Sequence, residues 1–376
     1  MFTFGFINID NLCFMKTSLY FIVTVLLVVA CTPKASEITR ITGSVEGGNV
    51  NQVTVYVLDY NIKNEQIEVT DGKFSYELAT NPAVVATFTC NMDGERVSQV
   101  LIPDGSELQL VFSSDGASLT SSNKKSINYR YQEVDKVYKE MGDFTSKYVA
   151  LQRGGAPKEQ IDSMAELRRP IFEKLKTLYR EDVEKQKDNY LSVRGLMGLQ
   201  GELTDEQMDS LIHTLDSTVI QTTRIQKVLK DIHGRFRSKE GMPFVDFSID
   251  AEGGTVKLSD FVGNGKYVLA DFWASWCQPC IVEMPHLKEL YKKYNGSEFT
   301  ILGIAVFDSV ADSKKTIREL ELPWVQILGT GDIAMNAYGI NSIPHIILFG
   351  PDGTILKRDI RGEQIGEVVK EALRIQ

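Results

Sequence analysis

Two cysteines, Cys277 and Cys280, stand with two residues between them in the stretch 268–285, VLADFWASWCQPCIVEMP. The apolar, aromatic-rich run 267–273 has the length of a buried strand, and the cysteines fall where a helix must begin. A helix start leaves backbone N–H groups unpaired and carries a partial positive charge, which favours an anion. The thiolate is that anion and is the reactive form of cysteine. The spacing therefore predicts an exposed, activated Cys277 at the helix start. Cys280 lies one turn further on the same face, close enough to close a disulfide. Pro279 suits a first helical turn, where its missing N–H costs nothing. The chemistry this pattern can do is thiol–disulfide exchange, in which Cys277 attacks and Cys280 resolves the mixed disulfide. A zinc site would need two more ligands. No second C-x-x-C exists, and His286 and His345 show no finger-like spacing. A purely structural disulfide would close so short a loop that it constrains little.

The string Asp271-Phe272-Trp273-Ala274-x-Trp276-Cys277-x-Pro279-Cys280 resembles the active-site segment of thioredoxin, and Glu283 and Pro285 extend it as C-x-x-E-x-P. That extension is similar to the membrane-associated TlpA/ResA-like branch of thiol–disulfide oxidoreductases. The resemblance covers about the last third of the chain. It implies further site residues. Asp271 matches a buried aspartate able to take the proton from Cys280 as that thiol attacks. Glu283, one turn after Cys280 on the same helical face, matches the acidic residue of the TlpA-like branch. Ile343-Pro344 matches a cis X-Pro loop facing the cysteine pair, whose exposed backbone a substrate segment could join as an added strand. Trp276, beside Cys277, would shape the substrate surface, whereas Trp273 is expected in the core. His345 departs from the small or hydroxyl residue of the family. An imidazolium there would favour the thiolate, unless the strand turns it away.

The elements that must hold these residues follow from pattern. A hairpin over 244–258 turns at Glu252-Gly253-Gly254. The central strand and the cysteine helix follow, and Pro285 is expected to kink that helix. A second buried strand spans 299–307, helices cover 309–320 and 332–338, a hairpin over 346–360 turns at Pro351-Asp352-Gly353, and 362–375 closes with a helix. Strands alternating with helices and ending in a hairpin predict an α/β thioredoxin-like domain over 239–376, a mixed sheet flanked by helices. Upstream, 31–120 reads as a small antiparallel β domain, with strand-like 53–58 and 73–78 and turns at Asp71-Gly72 and Pro103-Asp104-Gly105. It resembles the β-rich domain often fused ahead of such oxidoreductases. Residues 121–238 read as helical, broken at Gly154-Gly155-Ala156-Pro157, with a capping box at Thr204 and Gln207. His213 and His233 sit singly there and form no catalytic group.

Residues 1–30 read as a lipoprotein-type signal peptide. Lys16 supplies its charge, 19–30 its apolar stretch, and Met15 is the better initiator. Val28-Val29-Ala30-Cys31 resembles a lipobox, which makes Cys31 the lipidated first residue of the mature chain. Translocation places the protein outside the cytoplasm, on the periplasmic side of a bacterial membrane, where disulfides form. Of five cysteines, Cys13 leaves with the leader, Cys31 carries lipid, Cys277 and Cys280 are the redox pair, and Cys90 is a buried small residue. The 376 residues suffice for two or three domains. The net charge of −9, with no Lys/Arg-rich run, excludes nucleic acid as the expected partner.

The function expected is that of a membrane-anchored reductase of protein disulfides. It needs no metal or bound cofactor and is recharged by another dithiol protein, by resemblance a membrane one. Three alternatives stand beside it: a disulfide oxidase or isomerase, a ligand-binding lipoprotein with an accessory redox domain, and a peroxidase. Peroxidases of this fold carry P-x-x-x-T-x-x-C, and Trp273 interrupts that pattern here.

Overall fold

A computed structural model of the chain describes residues 38–47, 50–60, 62–251 and 253–374. The signal peptide, Cys13 and Cys31 lie outside them, as does Glu252 of the 244–258 turn.

The β region is a sandwich of two four-stranded sheets. Its strands are β1 (Ile38–Glu46), β2 (Gln52–Val57), β3 (Ile62–Glu68), β4 (Lys73–Ala79), β5 (Ala86–Met92), β6 (Glu95–Leu101), β7 (Glu107–Ser113) and β8 (Gly116–Ser121). One sheet runs β4-β1-β7-β8 and the other β3-β2-β5-β6. Alternation does what it must in a sandwich. Ala86, Phe88, Cys90 and Met92 of β5 all point inward and meet Ile41, Leu110 and Phe112 of the facing sheet. Cys90 is a free, fully buried thiol. One detail departs from a purely antiparallel domain: β1 and β7 run parallel, Ile41 opposite Leu108. They are distant in sequence, so no hairpin turn imposes their direction.

Six helices follow: α1 (Ile127–Arg153), α2 (Lys158–Lys185), α3 (Tyr190–Gly198), α4 (Asp205–Ile212), α5 (Ser217–Ile220) and α6 (Thr223–Arg237). The 154–157 break separates α1 from α2, and the Thr204/Gln207 capping box opens α4. Among the described residues no helix is long and apolar enough to cross a membrane. The helical core joins the β region, because Ala83 and Ile102 pack into it beside Val134, Leu191 and Ile225. Buried Asn128 ties the two together. Its side chain accepts from the Ile102 N–H at 2.8 Å and donates to the Ile102 carbonyl at 2.9 Å.

The C-terminal part holds the hairpin β9 (Ser248–Ala251) and β10 (Gly254–Lys257), which among the described residues pair only with each other. The main sheet comprises β11 (Tyr267–Trp273), β12 (Phe299–Ala305), β13 (Val325–Ile327), β14 (His345–Phe349) and β15 (Ile355–Arg358). Its helices are α7 (Gln278–Tyr294), α8 (Val310–Glu319), α9 (Ile333–Tyr338) and α10 (Glu363–Ala372). Strand order is β13-β12-β11-β14-β15. The β11, β12 and β13 neighbours run parallel, while β14 and β15 join antiparallel, so the sheet is mixed. β13 is absent from the sequence reading, since three residues at a sheet edge are too few to show a period. α7 passes through Pro285 as one element.

Each face of the sheet has its own core. On one, Leu269, Trp273, Ile346 and Leu348 meet Met284 and Leu287 of α7 and Ile365 and Val369 of α10. On the other, Ala270, Phe272, Ile347 and Phe349 meet Met335 and Tyr338 of α9 and Ile249 of the hairpin. The helical region docks on this second side through α6. There Gly234 faces Gly339, the left-handed cap of α9 at φ 61°, and a Cβ on Gly234 would lie 2.4 Å from the Gly339 nitrogen. The stretch 239–243, where the C-terminal domain is expected to begin, lies along the edge strand β15. The Gly241 N–H donates to the Ile355 carbonyl and the Ile355 N–H to the Met242 carbonyl, both at 2.8 Å.

Candidate active site

Cys277 is the N-cap of α7, with extended backbone (φ −84°, ψ 92°). Its Sγ accepts the backbone N–H of Cys280 at 3.3 Å, so the sulphur sits on the amide end of the helix. Cys277 and Cys280 are joined by a disulfide, with Cα atoms 5.3 Å apart. The expected exposure of Cys277 is corrected: the residue is only 4% exposed and Cys280 1%. Both belong to the apolar cluster that contains Trp273, Ala274 and Met284, so little more than an edge of Cys277 meets solvent.

Asp271 lies on β11 between Leu269 and Trp273, hence on the face that α7 covers. It is 1% exposed, and its Oδ2 has no hydrogen-bond partner among the described residues. Burial, and secondarily the charge of Glu283, push its pKa up to about 8. It therefore keeps its proton through most of the neutral range.

Glu283 is not a loose helix charge. Its Oε2 accepts the N–H of Gly362, the cap of α10, at 3.2 Å, and its Oε1 stands 3.3 Å from His286 Nδ1. That carboxylate fastens α7 to α10 while acting electrostatically on Asp271.

Ile343-Pro344 is a cis peptide bond. Pro344 is buried, and the half-buried Ile343 packs against both cores, including the cluster of the cysteines. Trp273 is fully buried and its indole N–H donates to Gln326 Oε1 at 3.0 Å. Gly303 leaves the room for Gln326, since a Cβ there would lie 1.8 Å from that oxygen. Trp276 is 62% exposed, and its indole N–H donates to the Phe307 carbonyl at 3.0 Å.

His345 is corrected as a source of positive charge. It pairs across the sheet with Phe272, not Asp271, and so faces the side away from the cysteines. Its ring lies edge-on to Phe272 at 6.2 Å, with Nδ1 3.4 Å from Asp359. Burial, then the charge of Arg358, lower its pKa to about 4 and keep the imidazole neutral. His213 and His233 are not isolated either, because both approach the carboxylate of Asp209, at 3.6 and 3.4 Å. Among the described residues no cluster of three or more His, Cys, Asp or Glu could hold a metal. A cavity of about 750 Å³ between β9, β10, α8 and β13 is lined by Gln326, the partner of Trp273, but not by either cysteine, Asp271, Glu283, His345 or the Ile343-Pro344 bond.

Asp308 is the site residue that sequence reasoning missed. Its carboxylate accepts both the N–H and the hydroxyl of Ser275 at 2.8 Å and the Ser313 hydroxyl at 2.7 Å. It thereby anchors the turn that carries Trp276 and Cys277. A signal existed: Asp308 stands just past the carboxyl end of a buried strand, where open α/β sheets place their working residues.

A family model described as AhpC/TSA matches residues 241–358. The thiol-disulfide oxidoreductase ResA of Bacillus thuringiensis subsp. konkukian is 32% identical over 125 residues, which are 33% of this chain and 70% of that protein. The ResA of Halalkalibacterium halodurans is 29% identical over 143 residues, 37% of this chain and 80% of that protein. Among solved structures, the thioredoxin domain of a thiol-disulfide oxidoreductase from Bacteroides vulgatus aligns at 34% identity and TM-score 0.32, covering 35% of this chain and 96% of that one. With a C-x-x-C pair capping a helix on a thioredoxin-like sheet and the 32% identity to the Bacillus thuringiensis ResA over 70% of its length, the chain belongs to the ResA-like family of thiol–disulfide oxidoreductases.

Proposed function

We propose that the protein is a lipid-anchored, extracytoplasmic reductase of protein disulfides. The observation that carries the reading is the Cys277 sulphur at the amide end of α7, bonded to Cys280, with the buried Asp271 on the strand face that α7 covers. In the reduced protein, the Cys277 thiolate attacks one sulphur of a substrate disulfide. The substrate S–S bond breaks, a mixed disulfide forms, and the departing substrate thiolate takes up a proton. Cys280 then attacks the Cys277 sulphur and releases the second substrate thiol, which leaves the Cys277–Cys280 disulfide. In the fraction of molecules in which Asp271 is ionised near its pKa of about 8, its carboxylate takes the proton of Cys280 as that thiol attacks and returns it to the departing substrate thiolate. Glu283 holds α7 against α10, raises the Asp271 pKa by its charge, and is the second acid able to take the Cys280 proton. Trp276, Ile343 and Pro344 receive the substrate segment. Two electrons per cycle must return from a second dithiol protein, for which a membrane protein is the expected source. The anchor would be lipid on Cys31, identifiable as a diacylglyceryl modification by mass spectrometry of the N-terminal peptide.

The deciding experiment is to replace Cys280 with Ser. Without the resolving thiol, mixed disulfides through Cys277 should persist and extracytoplasmic proteins should co-purify, released by dithiothreitol. Cys277→Ser should trap far less, because Cys280 is the more buried residue, 1% exposed against 4%, and does not cap the helix. Equal trapping by both variants would overturn the assignment of attacker and resolver, and an absence of trapped proteins would overturn the reductase reading.

A further inference from the structure

The segment that follows β12 carries an anomaly. Phe307 has φ 49°, in the left-handed region that a bulky residue rarely enters and that Gly, Asn or Asp occupy at less cost. Its ring is not repaid in packing, because the residue is 52% exposed. A large apolar side chain in a strained backbone, contributing little to the core, points to a use outside folding.

Its surroundings indicate which use. The segment is fastened to the cysteine turn at successive points. The Val306 N–H donates to the Trp273 carbonyl at 2.9 Å, the Phe307 carbonyl accepts the Trp276 indole at 3.0 Å, and Asp308 holds Ser275. From below, the Phe307 N–H donates to the Gly331 carbonyl at 3.2 Å. The conformation of Phe307 is thus over-determined, and so is the position of the exposed Trp276, the residue directly before Cys277. Any disulfide that reacts must bring its sulphur to Cys277, so the residues flanking the substrate cysteine must pass these side chains.

Resting on the reading of the cysteine pair above, we infer that Phe307 and Trp276 form an apolar lip that selects polypeptide disulfides whose cysteine has an apolar neighbour. Phe307 is a specificity-determining residue. The occupant is the aliphatic or aromatic side chain beside the substrate cysteine, which leaves water as the mixed disulfide forms.

The test uses the full chain, reduced beforehand and mixed in single turnover with two symmetrical disulfides, those of acetyl-Leu-Cys-Leu-amide and acetyl-Ser-Cys-Ser-amide. The wild-type protein should reduce the Leu peptide about tenfold faster than the Ser peptide, the low end of discrimination by an apolar site. Phe307→Asn tolerates the left-handed backbone and removes the ring, and should bring the ratio to about two or below. Both rates are read on one protein, so a general loss cancels in the ratio. Phe307→Gly serves the same purpose should the Asn variant not fold. A wild-type ratio near one, or a variant that keeps the wild-type ratio, overturns the inference and leaves the redox reading intact. Failure of the wild type to reduce even hydroxyethyl disulfide, which has no side chains to select, overturns the redox reading and the inference with it.

Discussion

Replacing Asp271 with Asn should remove most of the pH dependence of stability around the cysteine helix. The carboxyl is fully buried, and its pKa rises from an ordinary 3.8 to about 8. A carboxyl whose pKa is raised by folding gives stability that is fully present below the unfolded pKa and is lost as pH climbs to the folded one. In the window from about 4 to 8, the unfolded chain gains by ionising this group and the folded chain does not. At roughly 1.4 kcal/mol per unit, the shift comes to about 5–6 kcal/mol across the window, and to about 4 kcal/mol between pH 5 and pH 9. These figures are upper bounds, because water reaching an ionised carboxylate relaxes the penalty. Asn keeps the shape and cannot ionise, so the stability of the variant relative to the wild type should be about 4 kcal/mol more favourable at pH 9 than at pH 5. Urea unfolding of the oxidised protein at both pH values, followed by tryptophan fluorescence, measures the difference. Trp273, Trp276 and Trp324 are all the tryptophans of the chain, so the signal reports this part alone. Taking the difference between variant and wild type also cancels His345, whose lowered pKa costs stability on the acid side, between its ordinary 6.5 and about 4. Parallel pH profiles of wild type and variant, within about 0.5 kcal/mol, would refute the claim that Asp271 is buried as the acid.

Three further predictions follow from neighbouring contacts. Glu283→Gln should lower the Asp271 midpoint below 8, seen by carboxyl-stretch infrared titration, and combining it with Asp271→Asn should slow disulfide reduction by more than the product of the single losses. An unmoved midpoint and strictly multiplicative losses would separate the two acids. Gly339→Ala places a Cβ 2.1 Å from the Asp231 carbonyl at φ 61°. It should cost roughly 1–3 kcal/mol in denaturant unfolding and loosen α6 from α9, whereas wild-type stability would mean that this contact yields easily. Equilibration with glutathione or dithiothreitol buffers should place the pair nearer about −270 mV than about −120 mV, since no Lys, Arg or His separates the cysteines to stabilise a thiolate. A value at the oxidising end would favour the oxidase or isomerase alternative.

Local chemistry made much of the site legible. Cys277, Cys280 and Pro279 announce a helix start by type and spacing alone, because unpaired amides and a small anion suit each other wherever they occur. The run at 267–273 coincides with β11, and Ser309 and Gly362 stand at the N-caps of the helices read there. Such features depend on residues within a turn or two of one another. Cys90 is legible for the same reason, since alternation along one strand settles which way it points.

What the sequence could not determine is what distant segments do to each other. That Glu283 accepts from Gly362 across 79 positions depends on how α10 packs on α7. His345 faces away from the sulphurs because Phe272, not Asp271, is its partner across β11 and β14, and one step of register would have reversed this. The parallel β1–β7 pair and the edge strand β13 likewise arise from pairing between remote segments. The sequence by itself determined the redox pair, the strand that leads into it and the α/β character of its domain, because these follow from local geometry and periodicity. Only the tertiary structure decided the burial of Cys277, the proton on Asp271, the neutrality of His345 and the clamp through Asp308, because each depends on how much water and which charge the folded chain leaves beside the group.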